Sequence, residues 1–572
     1  MDAPERKQIN RNLRDVFGHE TLRPNQREVI ELVLGGEDVL AIMPTGAGKS
    51  LCYQLPALQM KGMTVVVSPL ISLMKDQTDK LEEKGLDVAN LNSSLSEAEQ
   101  KESLEQVENE RSDFIFTTPE RLTDTEFLAT LRDKTIDFVV VDEAHCISHW
   151  GHDFRPAFLA LREAFRQLGS PPILALTATA TPEVVEDIKK QLDRPRMRVV
   201  SGGIHRPNLR FEVVHTTQDA EKKARLAEIL SATQGAKIVY CATVKSVDEV
   251  TKFLRAANFN AESYHGKLSA KTRTDVQNRF MADDIDTIVA TNAFGMGVDK
   301  PDVRAIIHWQ MPGTLEAYYQ EAGRAGRDGD EARCVLLYDT RDRRVQQFFL
   351  GGRYPSADDV AMIYDALEKR GAAQAAVSLE QIGETIGDGL AKTKLRVGLN
   401  LLKDEKIVRE RRGAKFELLK PNTGGDRIKR LAETYVERGM SDREKLEQMM
   451  LYAQSASCRW QTLSKYFADA DGIGGEEIEK CETCDNCVRP ISERFDVQIP
   501  PDKLTKAEQE EILKSLRRET AARQEIAVGD SVKLPKFGAG KVEAVIGDKV
   551  EVVFADGKRK TFKSEFVRKT GV

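Results

Sequence analysis

The amino-acid sequence predicts an α/β protein built on two doubly wound parallel-sheet lobes, with smaller helical and β modules behind them. At 572 residues the chain exceeds what one hydrophobic core can serve, and ~3–5 domains is the range that such a length implies. From Asp38 to Met311, short β-branched runs alternate with helical stretches, the texture of a buried parallel sheet with crossover helices. The rhythm breaks at a charged segment from Gln218 to Arg225, which divides the strands into two series, and it stops beyond Gly351.

The first series reads VLAIM (39–43), TVVVSP (64–69), FIFTTP (114–119), FVVVDEA (138–144) and ILALTAT (173–179). The second reads KIVYCAT (237–243), AESYHG (261–266), DTIVATN (286–292) and AIIHWQM (305–311). After Gly351, SLEQIGETI (378–386), a GDG break and LAKTKLRVGLNLLKDE (390–405) read as two helices joined by a tight turn. IVRERRG (407–413) and AKFELL (414–419) then read as a two-stranded wing, so the module resembles a winged helix. A cysteine cluster follows, then a charged helical linker from about Lys503 to Gln524. From Ile526 short strands return, with Gly547-Asp548 and Asp556-Gly557 as hairpin turns of a small antiparallel barrel. The domains expected are thus 1–203, 204–349, 350–421, 422–490, a linker over 491–525, and 526–572.

Composition narrows the class. With 41% hydrophobic and 31% charged residues and no apolar run long enough to cross a bilayer, the sequence reads as that of a soluble protein with no membrane partner. The opening MDAPERKQINRN lacks a signal peptide's apolar stretch, and a cytoplasmic location is expected. A net charge of −6 excludes a polycation, so phosphate binding must come from local basic grooves. Of eight cysteines, Cys52, Cys146, Cys241 and Cys334 are singletons, whereas Cys458, Cys481, Cys484 and Cys487 cluster as metal ligands do.

Chemistry first shows where VLAIM runs into Met43-Pro44-Thr45-Gly46-Ala47-Gly48-Lys49-Ser50 ahead of LCYQLPAL. Backbone N–H groups of such a loop cradle phosphates at a helix N-terminus. Lys49 would meet the β and γ phosphates and the Ser50 hydroxyl would bind Mg²⁺. A glycine turn before a buried helix is the plainer alternative, but FVVVDEAH sets Asp142 and Glu143 at the C-terminal end of a β run, where open α/β sheets bind ligands. Asp142 would hold the metal and Glu143 would orient and deprotonate a water.

The further order of motifs resembles superfamily 2 helicases and, most closely, the RecQ family. LRPNQ (22–26), MPTGAGKS, VVVSPLISLMKDQ (65–77), DEAHCISHWGHDFRP (142–156) and TATAT (177–181) lie in the first lobe. VYCAT (239–243), SYHGKL (263–268), VATNAFGMGVDKPDVR (289–304) and QEAGRAGRDG (320–329) lie in the second. The resemblance implies two RecA-like lobes, ATP hydrolysis, and translocation on single-stranded DNA from 3′ to 5′ with opening of forked duplexes, in DNA repair or recombination. It implies that Gln26 reads adenine and that Arg23 stacks on the base; where the family often has an aromatic, this chain has His19. Arg327 and Arg324 resemble the arginine finger supplied by the second lobe. Trp150, His152, Phe154 and Arg155 fall in a stretch similar to the aromatic-rich loop that couples DNA to ATP, with His149 where the family commonly has glutamine. A related RNA helicase, a translocase, or a nucleic-acid adaptor with an inactive motor remains the alternative.

CETCDNC supplies three thiolates, and Cys458, opening CRWQTLSKYF, a fourth. Four sulfurs suit a closed Zn²⁺ site, with an iron–sulfur cluster as the alternative on spacing alone. The pair of segments is similar to the RecQ zinc-binding domain, which implies structural zinc. The winged-helix-like stretch precedes this site, whereas the family usually places it after. Lys392, Lys394, Arg396, Arg409, Arg411 and Arg412 there would contact phosphates or form a solvated face. The last segment resembles the Tudor-like domain of the UvrD and PcrA helicases, which implies a protein partner, RNA polymerase first. It holds ten Lys and Arg against six Asp and Glu, with Phe537 and Lys558, Arg559 and Lys560 among its marks.

Overall fold

Why the first lobe forms a parallel sheet is visible in its strands, which are apolar and buried on both faces. The computed structural model describes residues 3–489 and 528–569, apart from 94, 110–111, 152, 296–298, 354, 412, 422, 424, 469–477, 535–537, 547–548, 555–556, 558 and 564–567. Its two compact units are residues 1–491 and 492–572.

In the first unit, strands β1 (Val39–Ile42), β2 (Met63–Val67), β3 (Val88–Leu91), β4 (Phe114–Thr117), β5 (Ile136–Val141), β6 (Ile173–Thr177) and β7 (Arg198–Ser201) line up as β3-β4-β2-β5-β6-β1-β7. Their pairings are parallel, for example Ile42 opposite Thr177 and Val141 opposite Ala175. Helices cover both faces, and separate apolar clusters fill each side. The order has one consequence for chemistry: β5, β6 and β1 are neighbours, so the loops leaving their C-terminal ends converge.

The second lobe repeats the plan. Strands β8 (Leu209–His215), β9 (Ala236–Tyr240), β10 (Ala261–Tyr264), β11 (Thr287–Ala290), β12 (Val303–His308) and β13 (Ala332–Tyr338) form a parallel sheet in the order β10-β11-β9-β12-β13-β8. Every β run expected between Asp38 and Met311 is a strand. The structure adds β3, β7, β8 and β13, which those runs did not include.

The winged helix comprises helices Ala357–Lys369, Leu379–Ile386 and Lys392–Asp404 and a small sheet of β14 (Val377–Ser378), β16 (Lys415–Leu418) and β15 (Val408–Arg411), closed over its own apolar core. Ser378 starts the second helix through a capping box with Gln381. Four cations among its described residues are paired at home: Arg370 with Glu384, Lys394 with Asp359, Lys403 with Glu410 and Arg411 with Glu417. Arg412 lies outside the described residues.

The 30-residue helix Gly425–Gln454 then leads to helix Arg459–Phe467 and the last cysteines. This module shares one continuous core with the second lobe. Trp460 is fully buried against Phe211 and Tyr319, and its indole N–H donates to the Leu209 carbonyl at 3.3 Å. Arg459 and Asp485 form a buried pair at 2.9 Å, and Asp485 also accepts from the Val213 N–H.

The second unit is an antiparallel sheet of β17 (Ser531–Leu534), β18 (Gly538–Ile546), β19 (Lys549–Phe554), β20 (Arg559–Lys563) and β21 (Arg568–Lys569), in the order β20-β19-β18-β17-β21. Val532, Leu534, Val542, Val550, Val552 and Phe554 make its core. Ile546 faces Lys549 across the Gly547-Asp548 dipeptide, which lies outside the described residues, as do Phe537, Asp556, Lys558 and the linker up to Gln524.

Candidate functional site

The convergence of β1, β5 and β6 builds one wall of a cavity of ≈ 440 Å³, and the second lobe builds the other. Thr45, Gly46, Gly48, Lys49 and Ser50 line it from the loop after β1, Asp142 and Glu143 from the end of β5, and Arg324 and Arg327 from the second lobe. Ala47 is turned inward to the apolar core, and His19 is exposed and is not among the lining residues.

The loop after β1 needs its glycines. Gly46 and Gly48 adopt φ of 81° and 76°, a left-handed backbone that side chains disfavour. A Cβ at Gly48 would lie 2.5 Å from the Gln26 amide nitrogen. That amide donates to the carbonyls of Ala47 (2.9 Å) and Gly48 (3.1 Å) and its oxygen accepts from the Arg23 N–H, while the Arg23 guanidinium donates to the Gly46 carbonyl. Gln26 and Arg23 therefore grip the loop itself. Lys49 likewise donates to the Met43 carbonyl at 3.2 Å, and burial lowers its pKa against the opposing pull of Glu143 and Asp142.

On the facing strand end, burial and the adjacent Glu143 push the Asp142 carboxyl up to about 7. Glu143 sits at φ 50°, ψ 47°, a left-handed conformation that aims its side chain into the cavity. His145 Nδ1 lies 3.3 Å from Glu143 and 3.1 Å from the Thr177 hydroxyl, and Thr177 donates on to the Thr179 carbonyl. These bonds join the DEAH segment to the TAT segment.

Across the cleft, the stem of Arg327 runs over the loop glycine, since a Cβ at Gly46 would lie 3.4 Å from its Cγ. Its guanidinium pairs with Asp299, which also binds Lys80 of the first lobe at 2.9 Å. Arg324 donates to the Gly295 carbonyl. Arg206 donates to the carbonyls of Gly323 (2.7 Å) and Ala325 (2.9 Å) and so props the loop that carries both arginines. Asp299 falls inside the block VATNAFGMGVDKPDVR, whereas Arg206 and Lys80 lie outside every quoted motif.

Phosphates and Mg²⁺ fit this donor set. Arg324 Nε and Arg327 Nε are buried without a hydrogen-bond partner among the described residues, and both arginines line the same polar cavity as Lys49, Asp142 and Glu143.

The aromatic segment leaves Glu143 along the first lobe. Asp187 accepts from the Ser148 hydroxyl (2.9 Å) and the His149 N–H (2.8 Å), and Arg155 donates to the Pro69 carbonyl at 2.9 Å. His149 stacks on Phe154 at 4.6 Å, and Trp150 packs against the lobe core while lining a second cavity, of ≈ 920 Å³, with helix Gly425–Gln454. His152 lies outside the described residues.

Cys458, Cys481, Cys484 and Cys487 meet with all four sulfurs within 4.8 Å of one another. Tetrahedral Zn²⁺ with bonds of about 2.3 Å needs sulfurs about 3.8 Å apart, and Cys481 and Cys487 stand at 3.9 Å. The N–H groups of Arg459 and Cys484 donate to Cys484 and Cys481, and the Cys484 thiol, then Thr483, hold the Cys481 thiol down to about 4.

Comparison with known proteins agrees with this layout. Residues 23–188 match the DEAD/DEAH box helicase family, 221–329 the helicase conserved C-terminal domain and 426–488 the RecQ zinc-binding domain. The ATP-dependent DNA helicase RecQ of Bacillus subtilis (strain 168) is 46% identical over 58% of this chain and 56% of its own. RecQ of Pasteurella multocida (strain Pm70) is 41% identical over 58% and 52%. The chain thus spans little more than half of these two relatives. It spans 73% of the probable ATP-dependent DNA helicase RecS of Bacillus subtilis (strain 168), at 40% identity over 63% of this chain. Among solved structures, the DUF1998 helicase MrfA bound to DNA shares the fold at a TM-score of 0.50 and 19% identity, over 75% of this chain and 64% of that one. Two parallel-sheet lobes around one polar cleft, a four-cysteine centre and a 40% match to most of RecS place this chain in the RecQ family.

Proposed function

We propose that this chain is an ATP-driven DNA helicase that moves 3′ to 5′ on single-stranded DNA and opens forked duplexes in repair or recombination. The observation that supports it most is the single cavity in which Lys49, Asp142 and Glu143 of one lobe face Arg324 and Arg327 of the other. In this reading Lys49 leaves the Met43 carbonyl for the β and γ phosphates, and Ser50 and Asp142 would hold Mg²⁺. The metal, when bound, screens the charge that develops on the transferred phosphoryl group. Glu143 takes the proton of the attacking water, and Arg327 with Arg324 stabilises the charge from across the cleft. Gln26 and Arg23, freed from the loop, read and stack on adenine beside His19. Hydrolysis then changes how the lobes are held together.

DNA enters the cycle through Trp150, His152, Phe154 and Arg155, whose aromatics stack on unpaired bases. Cys458, Cys481, Cys484 and Cys487 would hold Zn²⁺, which would supply a structural crosslink. The winged helix stands as a separate module over 350–421 and the zinc domain over 422–490. The C-terminal sheet, whose Lys541, Lys549, Arg559 and Lys560 are exposed, is read as the docking module for a protein partner, RNA polymerase first. Four buried free cysteines fit a cytoplasmic location, on the nucleoid if the cell is bacterial.

Unwinding of labelled duplexes bearing 3′, 5′ or RNA tails tests this. Strand release with ATP·Mg²⁺ from the 3′ DNA tail is expected. ATP turnover without release would leave a translocase, and preference for RNA tails would move the substrate class.

A further inference from the structure

Lys445 stands where three parts of the chain meet. It lies on helix Gly425–Gln454, which leads to the zinc cysteines. Its Nζ donates to the Trp150 carbonyl at 2.6 Å and lies 3.0 Å from Glu316 Oε1 of the second lobe. The two side chains are 13% and 4% exposed, so this pair has been taken out of water. Tyr466, on helix Arg459–Phe467, lies beside Glu316. Burying a long flexible lysine costs rotamer freedom and solvation, and a surface ion pair would not hold it there.

Each partner leads to a part of the motor. Trp150 belongs to the loop that begins at Glu143, and its ring packs against the first lobe's core. Glu316 lies in the first turn of helix Leu315–Ala322, whose end at Gly323 opens directly into Arg324 and Arg327. When Trp150 leaves the core to stack on a base, its carbonyl moves with it. Lys445 must then follow the carbonyl away from Glu316 or let it go and rest on Glu316 alone, and either response changes how Glu316 is held. Helix Leu315–Ala322 runs from Glu316 to the loop of Arg324 and Arg327, so it is the element through which such a change would reach the arginines.

We propose that Lys445 is a positioning residue that couples DNA engagement of the Trp150 loop to placement of Arg324 and Arg327, an inference that rests on the motor reading above. The link runs through a backbone oxygen, so it follows the path of the loop and not the identity of one ring.

The test uses the full zinc-loaded chain, with ATP turnover measured with and without saturating oligo-dT. It compares the unaltered protein with Lys445→Met, Lys445→Arg and the double variant Lys445→Met/Glu316→Gln. The double variant removes both charges and leaves no buried carboxylate alone, so it stays folded if the single one does not. DNA-stimulated turnover is expected to fall about fivefold to tenfold in Lys445→Met and in the double variant, the low end of coupling between sites, with DNA-free turnover within about twofold. Lys445→Arg keeps most of the stimulation. Because Trp309 and Trp460 are buried, at 7% and 0% exposure, the change in tryptophan emission on adding DNA reports Trp150. That optical response persists in the variants while the turnover response is lost, a split that a merely structural lysine would not produce. Full stimulation in the double variant overturns the inference, and so does equal loss of DNA-free and stimulated turnover. An unaltered protein that DNA does not stimulate overturns the motor reading first and the coupling with it.

Discussion

The four-cysteine centre and the cleft between the lobes are both polar sites, yet they are assembled in opposite ways. Four sulfurs of the centre already stand at ligand spacing, fixed by a short CxxCxxC turn and by N–H donors from two helix starts. In the cleft, by contrast, the key groups hold one another: Gln26 the loop carbonyls, Lys49 the Met43 carbonyl, Arg327 the Asp299 carboxylate. A structural site benefits from one deep arrangement. A site that must cycle needs two of similar depth, and its resting partners are the competitors that a ligand displaces.

Three substitutions in the cleft press the comparison hardest. Lys49→Ala should abolish ATP turnover, Arg327→Ala should lower it ~10³-fold or more, and Glu143→Gln should lower it ~10²–10⁴-fold while nucleotide still binds. Steady-state ATPase and a fluorescent-nucleotide titration check them. Substantial turnover by the Glu143 variant would show that the base lies elsewhere. On the other side, Cys484→Ser should cut bound zinc and solubility before it touches catalysis, since structural zinc contributes about 10–16 kcal/mol in small domains. Metal analysis that found iron with visible absorbance would replace the zinc assignment.

Smaller effects follow. Trp150→Ala should raise the DNA concentration for half-maximal ATPase stimulation by roughly 5–150-fold, the equivalent of one lost base stack of about 1–3 kcal/mol. Unchanged stimulation would make Trp150 a core residue only. Ending the chain after Gln524 should leave DNA-dependent ATPase within about twofold, because the motor motifs lie in the other compact unit. Nuclease-treated pull-downs should lose a protein partner; equal recovery by both forms removes the docking role, and a steep loss of DNA affinity assigns the sheet to nucleic acid.

Legibility from sequence divides along the same line. Strands such as VLAI and FVVV are apolar throughout because helices bury both faces, and that pattern is readable without a fold. Edge and less regular strands, VANL and RVVS among them, lack it and were not foreseen. Nor was helix Ala357–Lys369, the first of the winged helix. Motif residues were readable because their chemistry is local. Asp299 with Lys80, Arg206 with the Gly323 loop, and Lys445 with Trp150 join distant stretches, so no window of sequence contains both halves.

The burial of Trp460 decides where this chain can be cut. A fragment ending with the second lobe at 349 would bare the apolar face that Trp460, Leu463 and Phe467 now cover, next to the Leu209 carbonyl that the indole satisfies. Such a piece would come out of the cell as an aggregate, however complete its catalytic motifs. A workable shorter chain keeps its cysteines and ends near Ile491, where the first compact unit stops.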